Sequence, residues 1–354
     1  MIEKKHYVFL DGLRGIAAIV VVIFHLFESV YQKHNVNLFP HGFLAVDFFF
    51  CLSGFVIAHA YDDRAENLSC LSFFKRRFVR LHPLVIFGSF LGIAIYFFDP
   101  WGNYSTSWNP ILIGIAYLQS NILIPTLISV PNRYGNLFPF NPPSWSLSLE
   151  YLANIFYILI LWKLPRKWLI LMLTFSLSSL IYLAHKFGTL SGGWHPETFT
   201  VGVARMSFSF FAGLAIKRYF FLFKVQPNFI VVVVLLLIAL GMPFLKYNWL
   251  IEVIIVALIF PLIVASAARV NISNKLQYTA DILGRLSYPL YITHYWFIIT
   301  LSNYCKIYQL NKVSALAVIM GATCSLVLLA YLVLRIYDEP VQKWLNKKLS
   351  RHIN

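Results

Sequence analysis

Apolar stretches, each long enough to cross a bilayer, recur along the whole chain and constrain its fold more than any other feature. A helix needs about 20 apolar residues to cross the roughly 30 Å hydrocarbon layer. The stretches lack strand alternation and hairpin turns, which argues against a β-barrel. The sequence therefore predicts an all-α, polytopic transmembrane helix bundle. About ten spans are expected, at residues 8–31, 43–61, 83–99, 144–163, 167–186, 200–217, 228–245, 248–266, 286–304 and 313–337.

A further apolar stretch, near 110–127, carries Asn, Gln and Pro and is predicted to be a re-entrant or interfacial segment. With ten spans and cytoplasmic termini, 22 of the 29 basic residues fall on the cytoplasmic side and six on the opposite side. Such an asymmetry is typical of membrane proteins, and an eleventh span would remove it. No internal repeat or long polar linker divides the sequence, so residues 1–354 are expected to form one transmembrane domain.

The formal net charge of +15 would suggest nucleic-acid binding in a soluble protein. Here the basic residues lie in short loops between apolar stretches, so membrane topology explains most of them and no nucleic-acid partner is expected. The excess positive charge is also suited to anionic membrane lipid or a phosphorylated ligand. The four cysteines are scattered without CxxC spacing, so neither a disulfide framework nor a metal site is expected.

The first span contains two polar residues that are costly inside a membrane, Arg14 and His25. They are eleven residues apart, close to three helical turns, so they share one helix face about 16 Å apart along the axis. Arg14 lies near the cytoplasmic end and His25 in the outer half. A snorkelling arginine and a histidine that bonds a neighbouring helix would also explain the pattern. The span lacks a cleavage site and is expected to be retained.

Two carboxylates are expected at the depth of His25. Asp47 and Glu150 each lie near the outer start of a span, and Arg205 lies near the same level. A carboxylate beside a histidine fixes its tautomer and stabilises the imidazolium, as a general base requires. The sequence therefore predicts one layer of ionisable groups, with His25 oriented by Asp47 or Glu150. A structural polar network between helices is the alternative.

A basic stretch before the third span has the spacing of an anion site. Arg77 and Arg80 are three residues apart and would share a helix face, with Arg76 beside them. Paired arginines suit phosphate or pyrophosphate oxygens. Simple anchoring by positive charge on the cytoplasmic side is the alternative. In the ninth predicted span, His294 lies near mid-depth, where a packing role is the more common one.

The ordered set of motifs resembles acyltransferase family three, the integral-membrane O-acyltransferases that include enzymes acetylating bacterial surface polysaccharides. The resemblance covers nearly the whole sequence. It runs through FLDGLRGIAAIVVVIFHLF, FFFCLSGFVI, FFKRRFVRLHP, PSWSLSLE, LSYPLYITH and the closing Asp338-Glu339-Pro340.

The resemblance implies transfer of an acyl group, most often acetyl, from cytoplasmic acyl-CoA to a hydroxyl of an extracytoplasmic glycan or lipid-linked saccharide. It implies a catalytic pair, Arg14 and His25, with Asp47 and Glu150 as further catalytic candidates. Donor binding falls to Arg77, Arg80, Arg76 and Ser53. Supporting roles fall to Arg205, His294, Tyr288 and Trp145.

The resemblance also implies a multi-pass protein of the bacterial cytoplasmic (inner) membrane, similar to stand-alone members without an extracytoplasmic C-terminal domain. Acetyl-CoA would act as donor substrate, with no permanently bound cofactor. The alternative class is a transporter or flippase for a lipid-linked glycan, which would also contain buried charges. Such proteins more often have inverted repeats, which this sequence lacks.

Overall fold

The computed structural model describes residues 6–31, 36–63, 69–102, 109–133, 135–219, 227–308 and 310–350. Thirteen α-helices are formed within these ranges, and no strand is formed there. Their bounds are α1 Val8–Tyr31, α2 Ala45–Tyr61, α3 Cys70–Phe98, α4 Pro110–Asn121, α5 Ser144–Leu159, α6 Arg166–Phe187, α7 Phe199–Tyr219, α8 Phe229–Gly241, α9 Asn248–Ile254, α10 Phe260–Ala267, α11 Asn274–Ile307, α12 Lys312–Val333 and α13 Glu339–Ser350. Five of the basic residues used to predict the topology, Lys4, Lys5, Lys33, Arg64 and Lys224, lie outside the described residues, as does Arg351.

The predicted helical membrane bundle is confirmed. Among the described residues, seven helical segments are long and apolar enough to cross a membrane. They contain α1, α2, α3, α6, α7, the continuous α9–α10 segment and the continuous α12–α13 segment. The three remaining predicted spans correspond to α5, α8 and α11, of which α8 is an apolar helix of 13 residues. In the stretch predicted to be interfacial, α4 has 12 residues and is only about 18 Å long, shorter than the hydrocarbon layer.

The contact between α1 and α11 is the most extensive between helices, and glycines make it close. A Cβ at Gly15 would collide with the Leu283 backbone, and one at Gly284 would lie 2.5 Å from the Cβ of Asp11. Small residues at such positions let two helix backbones approach directly, which is how helices commonly associate in membranes. The motif glycines of the first span therefore hold α1 and α11 side by side over several turns.

The contact between α2 and α7 is formed in the same way. A Cβ at Gly54 would collide with the carbonyl oxygen of Phe210, and one at Gly213 would collide with that of Cys51. Gly54 therefore marks a close crossing of α2 and α7. Apolar side chains from α2, α7 and α10 surround this crossing and form much of the largest buried cluster, which includes Phe48, Phe208 and Phe260.

The connection between α4 and α5 folds back over one end of the bundle. The amide of Thr126 donates to the carbonyl of Leu137 at 2.9 Å. The amide of Leu137 in turn donates to the carbonyl of Trp194 at 2.9 Å. The side chain of Asn141 donates to the carbonyl of Val85 in α3. These bonds fix the connection against the α6–α7 loop and against α3.

Candidate active site

Two separate cavities contain most of the polar residues that the sequence singles out. The first, the Arg14 cavity, has a volume of about 120 Å³ and is lined by polar groups of α1, α2, α3, α5 and α11. The second, the His25 cavity, has a volume of about 850 Å³. It is lined by the end of α1, the end of α3, the α4–α5 connection and the second half of α11. Helices α1 and α11 contribute to both cavities.

Arg14 is held in place by α11 and by its own helix. Its Nε donates to Oγ of Ser287 at 2.9 Å, and its Nη2 donates to the carbonyl of Gly284 at 2.9 Å. Asp11, one turn earlier, lies 3.1 Å from Nη2. These contacts fix the guanidinium at the wall of the Arg14 cavity, and Ser287 is a site residue that the sequence analysis missed.

The paired arginines of α3 reach the same cavity. Arg77 is buried, and its guanidinium lies 5.7 Å from the ring centroid of Phe73 and 5.9 Å from that of Tyr61. Its Nε has no hydrogen-bond partner within the described part of the chain. Arg80 also lines the cavity and is exposed. The predicted shared face is confirmed for this pair, whereas Arg76 is exposed and does not line the cavity.

Glu150 lies in the Arg14 cavity, where Ser53 donates to its Oε1 at 2.8 Å. Glu150 was predicted to lie beside His25, and this prediction is wrong. His25 lines the other cavity, three helical turns along α1 from Arg14. Helix α5 brings Glu150 to Ser53 of α2, at the level of Arg14 and Arg77 and not at that of His25. Ser53 and Glu150 therefore line the same cavity as Arg77 and Arg80.

His25 has a different carboxylate from the predicted ones. Its Nδ1 lies 3.1 Å from Oε2 of Glu28, one turn along α1. An ionised carboxylate only accepts hydrogen bonds, so Nδ1 carries the ring proton and Nε2 keeps its lone pair. This is the tautomer that a general base requires. The expectation that Asp47 or Glu150 orients His25 is therefore corrected to Glu28, which the i,i+3 spacing in the sequence would have indicated.

Two aromatic residues of α11 pack on the His25 ring. The His294 ring is stacked on it, with centroids 5.5 Å apart and planes 23° apart. The Tyr295 ring stands edge-on, with a centroid distance of 5.4 Å. His294 is buried, and its Nδ1 lies 2.7 Å from the carbonyl oxygen of Tyr291. Position in the sequence pointed to His294, and the structure places it directly against the predicted base.

The rest of the His25 cavity is lined by aromatic and amide side chains. Tyr96, Trp101 and Trp194 contribute rings, and Asn303 donates to Asp99 at 2.7 Å. Flat aromatic faces and paired amide and carboxylate groups suit a polyhydroxylated ligand, because they offer both apolar contact and hydrogen bonds.

Asp47 lies in neither cavity. It forms a fully buried ion pair with Arg205 of α7, in which Nη2 donates to Oδ2 at 2.6 Å and Nε lies 3.1 Å from both carboxylate oxygens. The other guanidinium contacts are to the carbonyls of Gly192 and Phe43. Trp145 packs over the guanidinium at 5.4 Å and also lines neither cavity. The predicted common layer is therefore replaced by three separate groups, and the alternative of a structural network holds for this one.

Side chains of α11 separate the two cavities, with Tyr291 lining one and Tyr295 lining the other. Tyr291 lines the Arg14 cavity, and its hydroxyl is hydrogen-bonded to that of Ser146 at 2.8 Å. Tyr288, one turn closer to Arg14, donates to the carbonyl of Leu81 in α3 at 2.6 Å. Tyr291 and Ser146 were not predicted as site residues, although both lie in the motifs LSYPLYITH and PSWSLSLE.

The chain belongs to the Acyltransferase domain family, whose model matches residues 7–335. With the helical bundle and its two cavities, this membership defines an integral-membrane acyltransferase. A similar protein is "Protein 2 in picA locus" of Rhizobium radiobacter, 32% identical over 163 residues that cover 43% of this chain and 81% of that protein.

Two further relatives have names that state an activity. Acyltransferase MdmB of Streptomyces mycarofaciens is 31% identical over 40% of this chain and 36% of that protein. O-acetyltransferase OatA of Staphylococcus aureus is 37% identical over 25% of this chain and 14% of that protein. The matched regions are thus well under half of both relatives. No solved structure matches the chain.

Proposed function

We propose that this acyltransferase moves an acetyl group from cytoplasmic acetyl-CoA to a hydroxyl of a glycan or lipid-linked saccharide on the far side of the bacterial cytoplasmic membrane. Family membership and the relative named an O-acetyltransferase support the reaction class. The distribution of basic residues supports cytoplasmic termini. In that orientation the Arg14 cavity lies towards the cytoplasm and the His25 cavity towards the outside.

The donor enters by the Arg14 cavity. Arg77 and Arg80 offer guanidinium groups to the phosphates of CoA, which guanidinium binds through paired hydrogen bonds. The unpartnered Nε of the buried Arg77 supports this, because a buried donor without a partner is rarely retained unless a ligand satisfies it. Arg14 and Ser53 lie further along the same cavity and line the path of the pantetheine arm.

The acceptor enters by the His25 cavity. Its volume of about 850 Å³ is within the range of small-ligand sites and suits one or two sugar residues. The aromatic and amide lining described above positions a sugar, and His25 lies where its hydroxyl would react.

The reaction needs a single displacement. The acceptor hydroxyl oxygen attacks the thioester carbonyl carbon while Nε2 of His25 takes the hydroxyl proton. The C–S bond breaks, CoA leaves as the thiolate, and the imidazolium returns the proton to the sulfur. Glu28 holds the ring and stabilises its charged form during the step. The Ser146–Tyr291 hydrogen bond opens to let the thioester reach His25.

The observation that carries this proposal is the 3.1 Å contact between Nδ1 of His25 and Glu28 at the wall of the large His25 cavity. The test is mass spectrometry of surface glycans from a host strain with and without the chain. Wild-type protein should restore O-acetyl groups that the deletion strain lacks, and His25→Ala should not. A general base contributes about 10²–10⁴-fold to rate, so the loss should be nearly complete.

The matched control is His185→Ala, which removes an exposed histidine of α6 outside both cavities. This variant should acetylate as the wild type does. Full activity of His25→Ala at equal protein level would overturn the assignment of the base. Failure of the purified protein to bind CoA would overturn the choice of donor.

A further inference from the structure

The wall between the two cavities contains a buried polar atom without a partner. Nε2 of His294 has no hydrogen-bond partner among the residues that the structure describes, although His294 is only 1% exposed. Buried polar atoms are nearly always hydrogen-bonded, because leaving one unpaired costs free energy. An atom left unpaired at a site where substrates meet therefore suggests that a substrate pairs with it.

The hydrogen bond at the opposite ring nitrogen shows what Nε2 can do. Nδ1 of His294 lies 2.7 Å from the carbonyl oxygen of Tyr291, and a carbonyl only accepts. Nδ1 therefore carries the proton, and in the neutral ring Nε2 has a lone pair and no hydrogen. The missing partner must then be a donor, an N–H or an O–H group.

The position of His294 restricts which N–H or O–H group can reach its Nε2. Its ring centroid lies 5.9 Å from that of Tyr291, which lines the Arg14 cavity, and 5.5 Å from that of His25, which lines the other cavity. Along α11, His294 follows Ser287, the partner of Arg14, by seven residues, or about 10 Å. His294 lines neither cavity but lies between Tyr291 and His25, so we expect an acyl donor that reaches from Arg14 to His25 to pass its ring.

We propose that Nε2 of His294 accepts a hydrogen bond from the amide N–H of the pantetheine arm nearest the thioester. The proposal rests on acyl-CoA being the donor. In that arm the amide nitrogen follows the sulfur after two methylene groups, so with the carbonyl at His25 the N–H lies one step back towards the Arg14 cavity. The acceptor hydroxyl, by contrast, has His25 itself as its partner.

The test measures binding of two unreactive ligands to the purified full chain in lipid nanodiscs by isothermal titration calorimetry. One ligand is S-ethyl-CoA, and the other is its analogue with an ester oxygen in place of that amide N–H. The wild type should bind the ester analogue about tenfold more weakly, the effect of one buried hydrogen bond. His294→Phe should bind both ligands equally, and His294→Gln, which offers an acceptor oxygen near the Nε2 position, should recover part of the preference.

Thr293→Val is the matched control, because it removes a buried hydroxyl from the adjacent residue, where it only donates to the carbonyl of Pro289. It should keep the wild-type preference. Equal binding of the two ligands by wild-type protein would overturn the proposal without any variant. So would a preference that persists in His294→Phe, or a His294→Phe defect confined to the KM for the acceptor, which would assign Nε2 to the acceptor hydroxyl. A wild type that binds neither ligand would instead overturn the choice of CoA as donor.

Discussion

Two of the sites at which the described residues bury charge, the Asp47–Arg205 pair and the Arg14 cavity, differ in how completely their hydrogen bonds are satisfied. In the Asp47–Arg205 pair, each nitrogen of the guanidinium donates to an oxygen and both carboxylate oxygens accept. In the Arg14 cavity, the buried Arg77 has an Nε without a partner in the described part of the structure. Protein groups satisfy the hydrogen bonds of the Asp47–Arg205 pair, whereas Arg77 borders the Arg14 cavity.

Whether protein groups satisfy its hydrogen bonds distinguishes a structural charge from a functional one in a membrane. Both groups are costly in the bilayer, and in sequence both look like markers of function. The Asp47–Arg205 pair joins α2 to α7 and, through Gly192, to the α6–α7 loop. Removing one member should therefore affect folding, whereas removing a residue of the open group should affect binding.

The largest effect is expected for Asp47→Asn. It leaves the guanidinium of Arg205 buried without a counterion, which typically costs about 3–5 kcal/mol. The folded fraction and the melting temperature in detergent should both fall sharply, as measured by fluorescence-detected size exclusion. The double variant Asp47→Leu with Arg205→Leu should recover part of the loss, because it removes both charges. A stable but inactive Asp47→Asn would place this pair in the catalytic group instead.

The next effect is expected for Arg77→Gln. Loss of a charge-assisted hydrogen bond of about 1.5–3 kcal/mol should weaken CoA binding by about 10-fold to 100-fold. The melting temperature should fall less than in Asp47→Asn, because the variant loses ring contacts with Phe73 and Tyr61 but no hydrogen bond of Nε to a described residue. Arg76→Gln is the control, since Arg76 is exposed on the same helix and outside the cavity. Equal losses in the two variants would indicate a general charge effect on CoA instead of a specific site.

A smaller effect is expected for Glu28→Gln. The amide no longer stabilises the His25 imidazolium, so kcat should fall by about tenfold, a part of what a general base contributes. Binding of CoA should be unchanged, because Glu28 lines only the other cavity. Glu197→Gln, at an exposed carboxylate, should acetylate normally. An unchanged kcat in Glu28→Gln would show that the ring needs no such partner.

The smallest effect is expected for His41, which lies two residues before Phe43, whose carbonyl accepts a hydrogen bond from Arg205. This buried histidine contacts the carbonyl of Met242 at 2.7 Å and Oδ1 of Asn248 at 3.0 Å. Burial lowers the pKa of His41 below its usual 6.5, although its two hydrogen bonds oppose the shift. The unfolded chain thus binds this proton more readily than the folded one.

The stability that His41 contributes is therefore present above about pH 6.5 and is lost as the pH falls below it. We expect the melting temperature to fall as the pH is lowered through this range, measured by thermal melts between pH 7.5 and pH 5. His41→Gln should remove this part of the pH dependence. An identical slope in wild type and variant would assign the dependence to other groups.

Hydropathy predicted the helices well and their ends less well. The sequence placed the third span at 83–99, but α3 begins at Cys70, because the basic segment before Pro83 continues the same helix beyond the apolar part. Likewise α11 begins at Asn274, twelve residues before the predicted span. Apolar runs report the part of a helix inside the membrane, whereas backbone hydrogen bonding extends it further.

The site was predictable in its residues but not in its grouping. Arg14, His25 and the Arg77/Arg80 pair follow from single-helix spacing, and each lines a cavity as expected. The partners of Asp47 and Glu150 depend on how α2, α5 and α7 are rotated about their axes. The position of a residue within its own apolar stretch does not predict which residues of other helices it will contact. Glu28 was missed because a carboxylate near a helix end resembles an ordinary residue of the membrane interface.

The glycine contact between α1 and α11 has a consequence for the choice of donor. With backbones touching at Gly15 and Gly284, the two helices cannot slide past each other without a steric clash. Arg14 and His25 lie on the same helix, so their separation of about 16 Å along its axis is constant, and the glycine contact keeps the groups of α11 in register beside them. A thioester carrier anchored at the arginine end must have an arm of matching length. Short thioesters such as S-acetyl-N-acetylcysteamine would then reach His25 only without the phosphate contacts. A longer acyl chain would have to extend into the His25 cavity.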